Sequence, residues 1–183
     1  MKTIALKGMI GSAIIALGAA LILLASPEGW AQQKRKLSFK LPVETSKYTR
    51  QHVFDVGDVP GHQIRIYELH RTWPTNPPRI LGLRVLESWE WGNSDYFDLN
   101  GRHYGYGFNV LESGDKIFYK FDGMSQSVVN PDGSRKSTYT GVLRFTGATA
   151  MFRGIQGTFR YKGIFDPKAN LNEGEVEGEY WID

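Results

Sequence analysis

Glu87 is the residue whose setting first suggests chemistry. Across residues 80–91 the odd positions read Leu81, Leu83, Val85, Glu87, Trp89 and Trp91, while the even ones carry Arg84, Ser88 and Glu90. Successive side chains of a strand point to opposite faces, so this alternation sets Glu87 on the apolar register. A carboxyl group desolvated there has a raised pKa and is a candidate general acid or base. Tyr104, Tyr106, Tyr119 and Tyr161 supply phenols able to donate to an oxygenated ligand, with Trp89 and Trp91 as its apolar wall. In 62–72 the even positions His62, Ile64, Ile66, Glu68 and His70 form the expected inner register, which brings Glu68 in as a further ligand-binding candidate. Two readings of Glu87 stay open: a catalytic carboxyl, or a residue satisfied by Arg84 or Arg144 at a rim or turned outward by a bulge.

Other chemistries are excluded or disfavoured. The chain has no cysteine, which removes disulfides, thiolate metal sites and a cysteine nucleophile. Phosphate-binding glycine loops, nucleophile elbows and zinc-spaced histidine pairs are missing. His62, Glu68 and His70 share a face, but alternate residues of a strand stand roughly 6–7 Å apart, so neither a metal nor a cofactor is expected. The formal charge is +3; without Lys2, Lys7 and Glu28 of the first 31 residues it becomes +2. Basic residues are interleaved with acids rather than gathered on a face, so no nucleic-acid partner is expected.

The elements that must position these residues are strands. Aromatics make up 13% of the chain and glycines number 21, a composition for strands and tight turns. Turn chemistry recurs at Gly57-Asp58-Val59-Pro60-Gly61, Pro74-Thr75-Asn76-Pro77-Pro78, Asn100-Gly101, Ser113-Gly114-Asp115, Asn130-Pro131-Asp132-Gly133 and Asp166-Pro167-Lys168-Ala169-Asn170. Between these, strands are expected near 37–43, 62–72, 80–91, 102–112, 115–121, 137–146, 157–166 and 174–182, with a weaker one near 124–130. Trp73-Pro74 and Pro77-Pro78 read as a connector, or as a stiff loop capping one end.

Further inner faces are expected at Tyr104, Tyr106, Phe108 and Val110; at Ile117, Tyr119 and Phe121; at Tyr139, Gly141, Leu143 and Phe145; at Phe159, Tyr161, Gly163 and Phe165; and at Val176, Gly178, Tyr180 and Ile182. Glu175, Glu177 and Glu179 then face solvent. Such a meander is expected to close as an all-β, eight-stranded antiparallel β-barrel, because closure removes unpaired edges; a sandwich is the alternative. An eight-stranded barrel either fills with side chains or holds one small ligand.

Ahead of this domain, Lys2 and Lys7 precede an apolar run, Met9 to Ala25, and then Ser26-Pro27-Glu28-Gly29-Trp30-Ala31. That order is a secretory signal peptide helix with cleavage after Ala31; a retained anchor is the rival reading. The expected organisation is a signal peptide over 1–31 and one domain over 32–183, with 32–36 a flexible lead-in. A cleaved product is periplasmic or secreted, with no stable membrane insertion.

The stretch Thr140-Gly141-Val142-Leu143-Arg144-Phe145-Thr146-Gly147-Ala148-Thr149-Ala150-Met151-Phe152-Arg153-Gly154-Ile155-Gln156-Gly157 resembles the signature of the allene oxide cyclase and dirigent barrel superfamily, in which a strand enters a Gly-Gly-Thr-Gly turn followed by an aromatic-basic pair and a second glycine-rich strand. Ser113-Gly114-Asp115-Lys116-Ile117-Phe118-Tyr119 resembles the Gly-Asp-Lys hairpin of bacterial relatives. The family's double glycine is Gly147-Ala148 here and its later glycine is Ala150, departures that put the tightness of the turn in question. The resemblance implies an eight-stranded calycin-like barrel and does not by itself decide the function. The aromatic inner registers and the inward Glu87 lead to a barrel that binds a small apolar or aromatic molecule, with an isomerase or cyclase, or a filled structural barrel that self-associates as a homo-oligomer, as the alternatives.

Overall fold

The computed structural model describes residues 33–166, 169 and 171–183, and the expected signal segment lies outside them. Among the described residues ten strands follow in order: β1 (Arg35–Leu41), β2 (Ser46–Asp55), β3 (His62–Thr72), β4 (Arg79–Ile80), β5 (Leu83–Phe97), β6 (Asn100–Leu111), β7 (Lys116–Val129), β8 (Arg135–Ala148), β9 (Ile155–Asp166) and β10 (Leu171–Ile182). A 3-10 turn, Ala150–Phe152, joins β8 to β9. All pairings are antiparallel, in the order β1-β10-β9-β8-β7-β6-β5-β3-β2, with β4 added to β5. The all-β antiparallel expectation holds. The sheet has ten strands rather than eight, and its terminal strands β1 and β2 are not paired with each other.

Two strands escaped the sequence pattern. In β2 nearly every side chain is exposed or half-exposed, so this edge strand shows no alternation of polarity. The two-residue β4 is cut from β5 by Leu81 and Gly82, both at positive φ (51° and 85°), a tight reversal inside what read as one continuous strand. The weak strand near 124–130 is the second half of β7.

Side chains bridge the unpaired ends. Trp73, just after β3, donates from Nε1 to the Lys40 carbonyl of β1 at 3.2 Å and meets Phe39 edge-to-face at 6.1 Å. Asn172 of β10 donates to the Tyr48 hydroxyl of β2 at 3.1 Å, and Arg65 of β3 lies 5.6 Å over the Phe165 ring of β9. The sheet therefore coils far enough for side chains of β2, of β3 and of the residue after β3 to meet those of β10, β9 and β1. Trp73 packs in the interior rather than serving as a loop cap.

One end of the coiled sheet is plugged. Ile80, Val85, Leu111, Ile117, Phe152 and Ile155 are at most 2% exposed, and each contributes about 1.5–3 kcal/mol through burial. Ala150, which stands where the resemblance would have a glycine, takes φ 42°, the left-handed conformation that glycine adopts without cost. Thr149 ties the turn down, accepting at Oγ1 from the Lys116 N–H at 2.9 Å and donating to Asp115 Oδ1 at 3.0 Å.

Candidate functional site

The inner faces of β7 to β10 follow the expected registers, with Ile117, Tyr119, Phe121, Phe145, Phe159, Tyr161, Val176 and Tyr180 buried and Glu175, Glu177 and Glu179 on the other face. Three strands depart from expectation. In β3 the odd residues Arg65, Tyr67, Leu69 and Arg71 line the interior, while Ile64 and Ile66 are exposed with Glu68 and His70 on their side. In β5 a bulge between Val85 and Glu87 reverses the parity, so Ser88, Glu90, Ser94 and Tyr96 point inward. In β6 the inward residues are His103, Gly105, Gly107 and Asn109, which leaves Tyr104, Tyr106 and Phe108 outside.

Five of the seven candidate residues thus move to the outer face. Glu87 carries its carboxylate 2.7 Å from His70 Nε2, and His70 stacks on Trp89 at 4.1 Å. Trp89 is followed by Trp91 at 6.4 Å and an interplanar angle of 19°. Glu68 accepts from Thr49 Oγ1 at 2.6 Å and Trp91 Nε1 at 2.9 Å, hydrogen bonds that hold its carboxyl below the ordinary value. Tyr104 lies under Arg102, and Tyr106 is 66% exposed. The physical cause is the bulge in β5, together with an outer face more aromatic than the inner one along β5 and β6. His62 is also outside, between Asp58 and Asp95 at 2.7 and 2.8 Å. Among the described residues, no group of three potential ligands is arranged to hold a metal ion.

Tyr119 and Tyr161 do line the interior, a cavity of about 110 Å³. Their setting explains why there is space. A Cβ added at Gly107 would stand 2.6 Å from Tyr119 Cζ, at Gly141 2.2 Å from the Tyr161 hydroxyl, at Gly92 2.2 Å from Tyr67 Cζ, and at Gly163 2.3 Å from Tyr139 Cζ. Each phenol therefore lies along the wall over a glycine of a neighbouring strand instead of projecting across the lumen.

The polar groups within are connected. Arg71 Nη1 lies 2.7 Å from Glu90 Oε1, which also accepts from the Tyr119 hydroxyl at 3.1 Å. Burial opposes the Arg71 charge, but the Glu90 carboxylate outweighs it and holds the guanidinium above its ordinary pKa. His103 contacts the Tyr96 hydroxyl through Nδ1 at 3.2 Å and the Tyr161 hydroxyl through Nε2 at 2.8 Å. Burial lowers its pKa to about 4, so at neutral pH one ring nitrogen donates to a phenol and the other accepts from one. Desolvation raises the pKa of Tyr67, Tyr119, Tyr139 and Tyr161, and takes Tyr96 to about 12. The phenols stay protonated.

Among the described residues, four buried polar atoms lack a hydrogen-bond partner: Arg71 Nε and Nη1, Ser94 Oγ and Ser137 Oγ. Nη1 is close to Glu90 but off the line of its N–H. Native interiors rarely leave such groups unpaired, and all four belong to residues lining the cavity. Sequence reasoning missed Arg71, Glu90 and His103. Their signal was Gly92, Gly105 and Gly107 on the same faces as Glu90 and His103, positions where a wall must admit a ring from across.

Comparison with known proteins adds no relative: no protein-family model, no curated protein and no solved structure matches the chain.

Proposed function

We propose that this protein is an exported β-barrel-type module, periplasmic or secreted, that holds a small apolar or aromatic molecule in its interior. The observation that carries this reading is the laying of Tyr67, Tyr119, Tyr139 and Tyr161 over glycines. A filled barrel would send such side chains into the lumen; here they leave about 110 Å³. An apolar cavity of about 150 Å³ takes up benzene, so the size favours one ring or a short chain over a long lipid. The resemblance of residues 140–157 to the allene oxide cyclase and dirigent superfamily points the same way. Among the described residues no helix is long and apolar enough to cross a membrane.

The test is native mass spectrometry of the protein taken from its own cell envelope, followed by extraction and identification of released molecules. A stoichiometric small molecule supports the reading. A clean apo mass, together with no uptake of benzene-sized probes, overturns it in favour of a filled structural barrel.

The Tyr96–His103–Tyr161 chain favours a second reading, an isomerase or cyclase that moves a proton. A neutral imidazole between two phenols can accept at one nitrogen as it gives at the other. If His103→Gln leaves turnover of the identified molecule unchanged, this reading falls.

A further inference from the structure

The charges lining the cavity do not cancel. Arg65, Arg71 and Glu90 are its lining residues with charged side chains at neutral pH, since His103 is neutral and the phenols are protonated. Two cations face one carboxylate. Arg71 is 4% exposed, and its Nε hydrogen meets no acceptor. A buried donor left unpaired costs roughly 1–3 kcal/mol, more when it is charged. Among the described residues Arg65 makes no ion pair. It lies over the Phe165 ring among the half-buried residues opposite the plugged end, where a cation attracts anions toward the interior.

A neutral ligand could satisfy the Arg71 donor, but the lining would keep its excess positive charge. An anion satisfies both. Glu90 opposes an anion through its own charge, yet it engages only one side of the guanidinium and shares its Oε1 with Tyr119.

We propose that the occupant is a small ring-bearing monoanion, a carboxylate, whose oxygen accepts from Arg71 Nε while its ring lies against the phenols of Tyr67, Tyr119 and Tyr161. This rests on the ligand-binding reading above and narrows it to one charge class. Ser94 and Ser137, 2% and 1% exposed with unpartnered hydroxyls, offer neutral hydrogen bonds to a further polar substituent.

Calorimetric titration of the full-length protein with benzoate and with its neutral isostere benzamide tests the proposal. Benzoate is expected to bind at least about tenfold more tightly, roughly the 1.4 kcal/mol of one charge-assisted hydrogen bond. Arg71→Lys should weaken benzoate by about tenfold or more and leave benzamide within about threefold, with folding checked by near-ultraviolet circular dichroism. Should that variant not fold, Glu90→Gln provides the second reading: loss of the competing carboxylate should tighten benzoate. Benzamide binding as well as benzoate, or Glu90→Gln weakening benzoate in folded protein, overturns the anion assignment and leaves the cavity reading standing. If benzoate, benzamide and phenol all fail to bind, the cavity reading itself falls and takes the inference with it.

Discussion

Arg71 Nη1 and Glu90 Oε1 stand 2.7 Å apart on adjacent strands, with the arginine 5% and the glutamate 15% exposed at their side chains. Removing one partner leaves the other charged and buried, which costs about 3–5 kcal/mol, whereas replacing both with apolar residues is often neutral. Arg71→Met and Glu90→Leu should each lose that much in urea denaturation, and the double variant should regain most of it. Simple additivity would mean that the two charges do not depend on each other.

Gly92→Ala places a Cβ against Tyr67, whose Cζ, hydroxyl and Cε2 are the three nearest atoms at 2.2 to 2.7 Å. The ring must swing off the wall into the lumen. Stability should fall by about 1–3 kcal/mol, and uptake of a benzene-sized probe should be abolished. Adding Tyr67→Leu should restore uptake; continued uptake by Gly92→Ala alone would show that the lumen is not where the probe sits.

His103 has a pKa lowered from 6.5 to about 4, so the unfolded chain binds its proton more readily. The stabilisation is fully present above pH 6.5 and is lost as pH falls toward 4, on the order of 3 kcal/mol. Unfolding free energies measured from pH 7 to pH 4 should therefore fall more steeply in the parent than in His103→Phe. Equal slopes would place His103 in contact with water.

His62 behaves oppositely. Its partners Asp95 and Asp58 raise its pKa above 6.5, so its contribution is complete below pH 6.5 and is lost as pH rises through the folded value. In an NMR titration its imidazole should show a midpoint above 6.5 that drops in Asp95→Asn. An unshifted midpoint would mean that the bridge does not form in solution.

Glu87 lies outside the cavity, on His70. Glu87→Gln should leave the affinity for an interior probe within about twofold, while Tyr161→Phe, which deletes the hydroxyl paired with His103, should change it by several-fold, the equivalent of about 1 kcal/mol. The reverse ranking would return the site to the outer face.

Much of the fold was legible in one dimension. Turn residues delimited the strands from β6 onward, and alternation assigned the inner faces of β7 to β10, where aromatic residues and glycines oppose lysine, arginine and glutamate. There the difference in polarity between the two faces is large, and burial follows it. Along β3, β5 and β6 each face mixes apolar and polar groups. Alternation still states which residues share a face, but transfer energies alone no longer say which face is inside.

Tertiary structure decided the rest. One bulged residue, Leu86, reversed the parity of β5 and exchanged Glu87 for Glu90. Coiling of the sheet then brought together groups distant in the chain, such as His103 and Tyr161, 58 residues apart. Periodicity is a property of a single strand, whereas the site depends on which strands face one another across the lumen. That relation is set by the twist and coiling of the whole sheet, which no local pattern encodes.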